Sequence, residues 1–111
     1  MINTASVSGI RASGGSNIAY SVSKAGTIHL TKCLATALGP DIRVNAVAPG
    51  FLDTEMTGSL GERQRDQIAR RSALHRLADV DDIANAVEFL LGDKARNITG
   101  TVLTVDAGST A

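Results

Sequence analysis

A single cysteine, Cys33, rules out a disulfide within the chain. No apolar run approaches the roughly 20 residues needed to span a bilayer. The first residues also lack the basic start and apolar stretch of a secretory signal. A reducing, cytoplasmic setting is the expectation. An excess of one charge is missing too: eleven Lys and Arg balance eleven Asp and Glu, and the basic residues are scattered apart from Arg63 to Arg71. That distribution gives no electrostatic footprint for nucleic acid or an anionic membrane. His29 and His75 have no companions at metal-ligand spacing, so both read as structural or surface residues.

What is present is ordinary globular material, 43% hydrophobic and 20% charged over 111 residues, with no repeat or shift in composition. One domain is expected. Met1 to Val7 reads as a short buried strand, and the Ser/Gly-rich stretch from Ser8 to Ser16 as a loop. From about Asn17 to Leu38, Val22, Gly26, Leu30, Cys33, Leu34, Ala37 and Leu38 recur at three- and four-residue spacing, which predicts a helix with these positions as its buried stripe. Gly39-Pro40 should end it, the glycine in a left-handed conformation and the proline lacking a donor. Ile42 to Ala48 is β-branched and closed by Pro49-Gly50, the pattern of a second buried strand.

A polar helix is expected from about Glu62 to Ser72. Asp79, with Asp82 three positions on, should cap a further helix whose buried stripe is Ile83, Val87, Leu90 and Leu91, ending near Gly92. Thr101 to Val105 alternates as a third strand, and Asp106-Ala107-Gly108 turns the chain. Strands separated by helices predict an α/β fold with a parallel sheet. About three strands is few for a sheet covered on both faces, so the chain reads as part of a larger layer with an unprotected first strand.

Tyr20 and Lys24 stand four residues apart, on one face of the first helix. An ammonium near a phenol favours the phenolate and moves the hydroxyl toward use as a general acid or base. Taken alone, the pair is equally an ordinary solvated Tyr-Lys pair on a helix. Ser6, at the end of the first strand, and Asn45 to Gly50, at the end of the second, give it context, because ligands of parallel sheets sit at the carboxyl ends of the strands.

Three segments occur in order: Thr4-Ala5-Ser6-Val7-Ser8-Gly9, Tyr20-Ser21-Val22-Ser23-Lys24 and Asn45-Ala46-Val47-Ala48-Pro49-Gly50. With Ile98 to Asp106 as a last strand, the chain resembles the short-chain dehydrogenase/reductase family, with the general look of its 3-oxoacyl-(acyl carrier protein) reductase branch. The resemblance implies a proton donor or acceptor at Tyr20 and an assisting Lys24 that also reaches the nicotinamide ribose. It implies a Ser6 hydroxyl on the substrate oxygen. Ser8 is the rival for that role, but Ser6 fits the Ser-x-x-Gly arrangement whereas Ser8 abuts Gly9.

By the same resemblance Tyr20 and Lys24, with Pro49, Gly50, Leu52 through its backbone and Thr54 through its hydroxyl, would hold the nicotinamide side of NAD or NADP. Without it, Thr54 would be a helix cap before Glu55. Residues 54–77 correspond to the family's substrate-covering segment, where Arg70 and Arg71 could meet an acidic substrate or be merely solvated.

The family's Thr-Gly-x-x-x-Gly-x-Gly phosphate loop and its Asn-Asn-Ala-Gly segment occur nowhere in the sequence. The resemblance therefore implies the C-terminal half of a Rossmann-like doubly wound parallel sheet, with residues 1–111 as a partial NAD(P)-binding domain lacking the N-terminal nucleotide-binding half. The expected activity is hydride transfer between nicotinamide and a small-molecule carbonyl or secondary alcohol, in a homo-oligomer. Two other readings remain: an inactive remnant acting as an assembly partner, and an unrelated α/β binding module on which Tyr20 and Lys24 are decoration.

Overall fold

The computed structural model describes residues 1–12, 17–54 and 61–111. Strand β1 (Ile2–Thr4) runs into a 3-10 turn (Val7–Gly9) and then helix α1 (Ile18–Leu38). Strand β2 (Asn45–Pro49), helices α2 (Glu62–Arg71) and α3 (Val80–Leu91), a second 3-10 turn (Asp93–Ala95) and strand β3 (Val102–Val105) follow. The strands form one parallel sheet in the order β1-β2-β3, with Ile2 opposite Asn45, and Ala46 opposite Val102. Among the described residues β1 and β3 each pair along one edge only. β1 is shorter than the predicted segment because Ser6 caps the 3-10 turn instead of continuing the ladder. Of the expected loop, residues 13–16 lie outside the described residues.

β2 is the hub. Asn45, Ala46, Val47 and Ala48 are all fully buried, which in a strand requires cover on both faces. Ala46 and Ala48 cluster with Ala5 against Ile28 of α1 and Val102 of β3. Val47 points the other way by the strand's period of two. That second face belongs to α3, the other helix that packs on β2, whose Leu90 is buried. Small side chains on the α1 side let helix and sheet approach closely. The start of β2 is stapled to the chain leading into β3. Asn45 donates from Nδ2 to the Ile98 carbonyl at 2.8 Å and accepts from the Thr101 amide at 3.1 Å. Arg43 spends its guanidinium on the carbonyls of Leu90, Ile98 and Gly92, closing the C-terminal end of α3.

Both flanking helices start where the sequence places them. The Asn17 side chain accepts from the Tyr20 amide at 3.2 Å, capping α1. Asp79 and Asp82 form a reciprocal capping box at the start of α3. The buried stripe of α1 is a correction. Ile18, Val22 and Leu30 are 79%, 65% and 52% exposed, and Gly26, Cys33 and Ala37 are exposed with them. Leu34 and Leu38 face inward as expected, but the rest of the inward face is Thr27, Ile28, Thr31 and Ala35. The reason is that the threonines satisfy themselves: Thr27 and Thr31 each donate to the carbonyl four residues back. Thr31 Oγ1 then accepts from Asn3 Nδ2 of β1 at 3.1 Å. A polar contact selects that face, and an apolar count cannot see it. In α3, Ile83, Val87 and Leu90 face inward as expected, whereas Leu91 is exposed. The end of α1 differs from expectation as well: Gly39 caps it in an extended conformation, with φ −66° and ψ 149°, not a left-handed one.

Candidate active site

The carboxyl ends of β1 and β2 open beside the first turn of α1. Ser6 leaves β1 in an extended conformation, and its Oγ accepts the Ser8 amide at 3.2 Å. The serine is 8% exposed. Accepting through a lone pair leaves the hydroxyl proton available for a ligand oxygen. Gly9 ends the turn directly against α1. A Cβ there would stand 2.6 Å from the Ala25 nitrogen and the Lys24 carbonyl carbon, so only glycine permits this approach. The contact locks the Ser6 turn to the stretch of helix that carries Lys24.

Lys24 Nζ donates to the Thr4 carbonyl at 3.1 Å, bridging α1 to the end of β1. The same Nζ lies 5.7 Å from the centroid of the Tyr20 ring, within cation-π range. An ammonium has three hydrogens and this one spends one on Thr4, so two remain for a ligand. Tyr20 is 46% exposed, its ring at the surface beside the ammonium. The structure thus brings Tyr20 and Lys24 together and ties the lysine to the strand end that leads into Ser6. Ser8 gives its amide to Ser6, which places it in support of that serine.

The second wall is the end of β2. Pro49 pairs with Val105, and the Gly50 amide donates to the Val105 carbonyl at 3.1 Å. A Cβ on Gly50 would come within 2.6 Å of Asp106 Cβ, so the glycine lets the turn close on β3. Leu52 makes an isolated parallel bridge with Ala78, and the Asp53 amide donates to the Ala78 carbonyl at 2.9 Å. Asp53 also pairs with Arg65 of α2, which fastens that helix to the loop after β2. Thr54 is half-buried and makes contacts of its own. The cap reading for Thr54 turns on Glu55, which lies outside the described residues.

Asp106, read from the sequence only as part of a turn, is the anchor beneath this wall. Its carboxylate accepts from the Gly108 amide, the Ser109 hydroxyl, and both the amide and hydroxyl of Thr110. Burial pushes its carboxyl upward, but these hydrogen bonds outweigh burial and hold it below the ordinary carboxylate range. The Asp-x-x-Ser-Thr spacing is a local side-chain-to-backbone pattern that could have flagged it. A cleft of about 460 Å³ between α3 and β3 includes none of Ser6, Tyr20 and Lys24.

With this geometry in view, comparison with known proteins decides the family. The family model described as Enoyl-(Acyl carrier protein) reductase matches residues 1–110. The chain belongs to the short-chain dehydrogenase/reductase family. A 3-oxoacyl-(acyl carrier protein) reductase of Thermotoga maritima is 41% identical over 97% of this chain and 44% of its own length. The cis-4-hydroxycyclohexanecarboxylate dehydrogenase of Sinomonas cyclohexanicum is 39% identical over 100% of this chain and 45% of its own. Among solved structures, a 4-hydroxyisoleucine dehydrogenase complexed with NADH and succinate superimposes with a TM-score of 0.87 at 37% identity, over 98% of this chain and 45% of that one. The chain therefore spans about half the length of the short-chain dehydrogenases and reductases it matches. Its three parallel strands and flanking helices are the C-terminal part of the family's Rossmann-like sheet.

Proposed function

We propose that residues 1–111 are the C-terminal part of an NAD- or NADP-dependent oxidoreductase domain that transfers hydride between nicotinamide and a carbonyl or secondary-alcohol substrate. The observation that carries this reading is the position of the Lys24 ammonium, 5.7 Å from the Tyr20 ring centroid and hydrogen-bonded to the end of β1. In the reductive direction the Tyr20 hydroxyl gives its proton to the substrate oxygen; in oxidation the phenolate takes it back. Lys24 steadies the phenolate in both directions. The Ser6 hydroxyl donates to the substrate oxygen and offsets the charge that builds there.

The residues present fit the nicotinamide end of such a cofactor. Lys24 has two hydrogens left for ribose hydroxyls, and Pro49, Gly50, Leu52 and Thr54 sit on the loop that leaves β2 at the same end of the sheet. The chemistry supplied by the cofactor, when bound, is hydride exchange with the substrate carbon. The names of the compared proteins support the substrate class, since they describe a 3-oxoacyl reductase and two dehydrogenases of hydroxylated acids. A cytoplasmic enzyme is consistent with the described residues, which contain no helix long and apolar enough to cross a membrane.

The exposed apolar face of α1, running through Ile18, Val22 and Leu30, supports assembly with another copy, and it also favours a second reading, an inactive assembly partner. Fluorescence titration with NADH and NADPH separates the two, because saturable binding upholds the enzyme and its absence upholds the partner. Tyr20→Phe then tests the proton donor. Turnover is expected to fall by about 10² to 10⁴ with cofactor binding retained, whereas turnover left intact would remove Tyr20 from the chemistry.

A further inference from the structure

A concavity beside the Ser6 turn takes no part in the proton transfer. It has a volume of about 350 Å³ and lies between the turn after β1 and the C-terminal turn, lined by Val7, Ser8, Arg11, Ala12 and Thr110. Arg11 follows directly on the 3-10 turn, and its amide donates to the Val7 carbonyl at 2.9 Å, which fixes its backbone on the rim of the cavity. Among the described residues, Arg11 carries the sole formal charge in the lining.

The guanidinium is left free by its surroundings, unlike that of Arg65, which is paired with Asp53 of the loop after β2, or that of Arg43, which three backbone carbonyls consume at the other end of the sheet. Among the described residues the Arg11 side chain has neither an acid nor a carbonyl partner. Asp106, whose carboxylate is held by the amides and hydroxyls of 108–110, is not among the residues that line the cavity. A surface arginine is ordinarily just solvated. This one lines a partly apolar cavity that holds no acid among the described residues and opens five residues after Ser6.

We propose that Arg11 is a specificity-determining residue that holds the carboxylate of an oxo-acid or hydroxy-acid substrate while the reacting carbon lies at Ser6 and Tyr20; the reacting end rests on the oxidoreductase reading above. The planar guanidinium suits a carboxylate bidentately. A phosphate, with nearly twice the charge, is usually met by several cations or by the amides of a helix N-terminus, and this lining supplies a single cation.

The test uses the full natural polypeptide that carries this chain, with levulinate, its neutral methyl ester and inorganic phosphate as probes. Binding is read by ligand-observed NMR without cofactor, and turnover separately with NADH or NADPH. Levulinate should bind saturably, and Arg11→Gln should weaken it roughly tenfold or more, with Arg11→Lys restoring part of the loss. In turnover, the preference in kcat/KM for acid over ester should fall by a similar factor, through KM. Absence of saturable levulinate binding, or binding indifferent to Arg11→Gln in a variant of native circular dichroism, overturns the proposal. So does phosphate that displaces levulinate at equal concentration. Arg11-dependent binding in a protein that turns over neither probe upholds the anion site and counts against the oxidoreductase reading, so the two failures are distinguishable.

Discussion

Helices α1 and α3 both rest on β2, and both carry apolar residues at helical spacing, yet they use that pattern in opposite ways. In α3 the stripe of Ile83, Val87 and Leu90 faces the sheet. In α1 the apolar stripe through Val22, Gly26 and Leu30 faces outward. The face on the sheet includes two threonines, Thr27 and Thr31, and the first two turns carry Tyr20 and Lys24. The difference teaches that apolar periodicity locates a helix without stating which side meets its own sheet. When a helix is apolar on one face and small and self-satisfied on another, specific polar contacts such as Asn3 to Thr31 choose the orientation.

That contrast can be broken by experiment. The largest stability effect belongs to α3: Leu90→Ala should cost about 2 to 5 kcal/mol, measured by urea denaturation. The matching Leu30→Ala in α1 should stay within about 0.5 kcal/mol at a concentration where the chain is unassociated. Equal losses would place Leu30 in the core. Gly9→Ala comes next. Its Cβ would press on the backbone of Lys24 and Ala25, so a loss of about 1 to 3 kcal/mol is expected. Turnover should fall along with stability, because the Ser6 turn and Lys24 separate together. Thr31→Val sharpens the comparison most finely. It keeps the shape and removes the acceptor for Asn3, for a loss of about 1 kcal/mol. A neutral result would mean that something other than this hydrogen bond orients α1.

Much of the fold was legible in the residues. Asn17, Gly61 and Asp79 mark helix starts, the β-branched runs mark the strands, and Pro49-Gly50 marks the end of β2. These are local signals, fixed by capping and by what proline cannot donate. The orientation of α1 was not legible, because it depends on Asn3, which is 28 residues from Thr31. The expected left-handed Gly39 failed because an extended glycine also ends a helix.

The catalytic candidates were legible as a motif in order, and the Tyr20-Lys24 spacing is enough to place both on one helix face. The tie from Lys24 to the Thr4 carbonyl, the close approach of Gly9 and the Asp106 anchor were not. Each is a contact between segments far apart in sequence, or a backbone acceptor that residue identity does not reveal. Arg11 went unremarked for the same reason: nothing in its neighbours' identities says that a cavity opens there.

The central claim is that Tyr20 and Lys24 work as one unit, and a double-mutant cycle on turnover measures it most directly. With Tyr20→Phe, Lys24→Met and the double variant compared at saturating cofactor, the account predicts that the double variant is no slower than Tyr20→Phe alone. Losses that multiply, so that each substitution costs the same with or without the other, would contradict it.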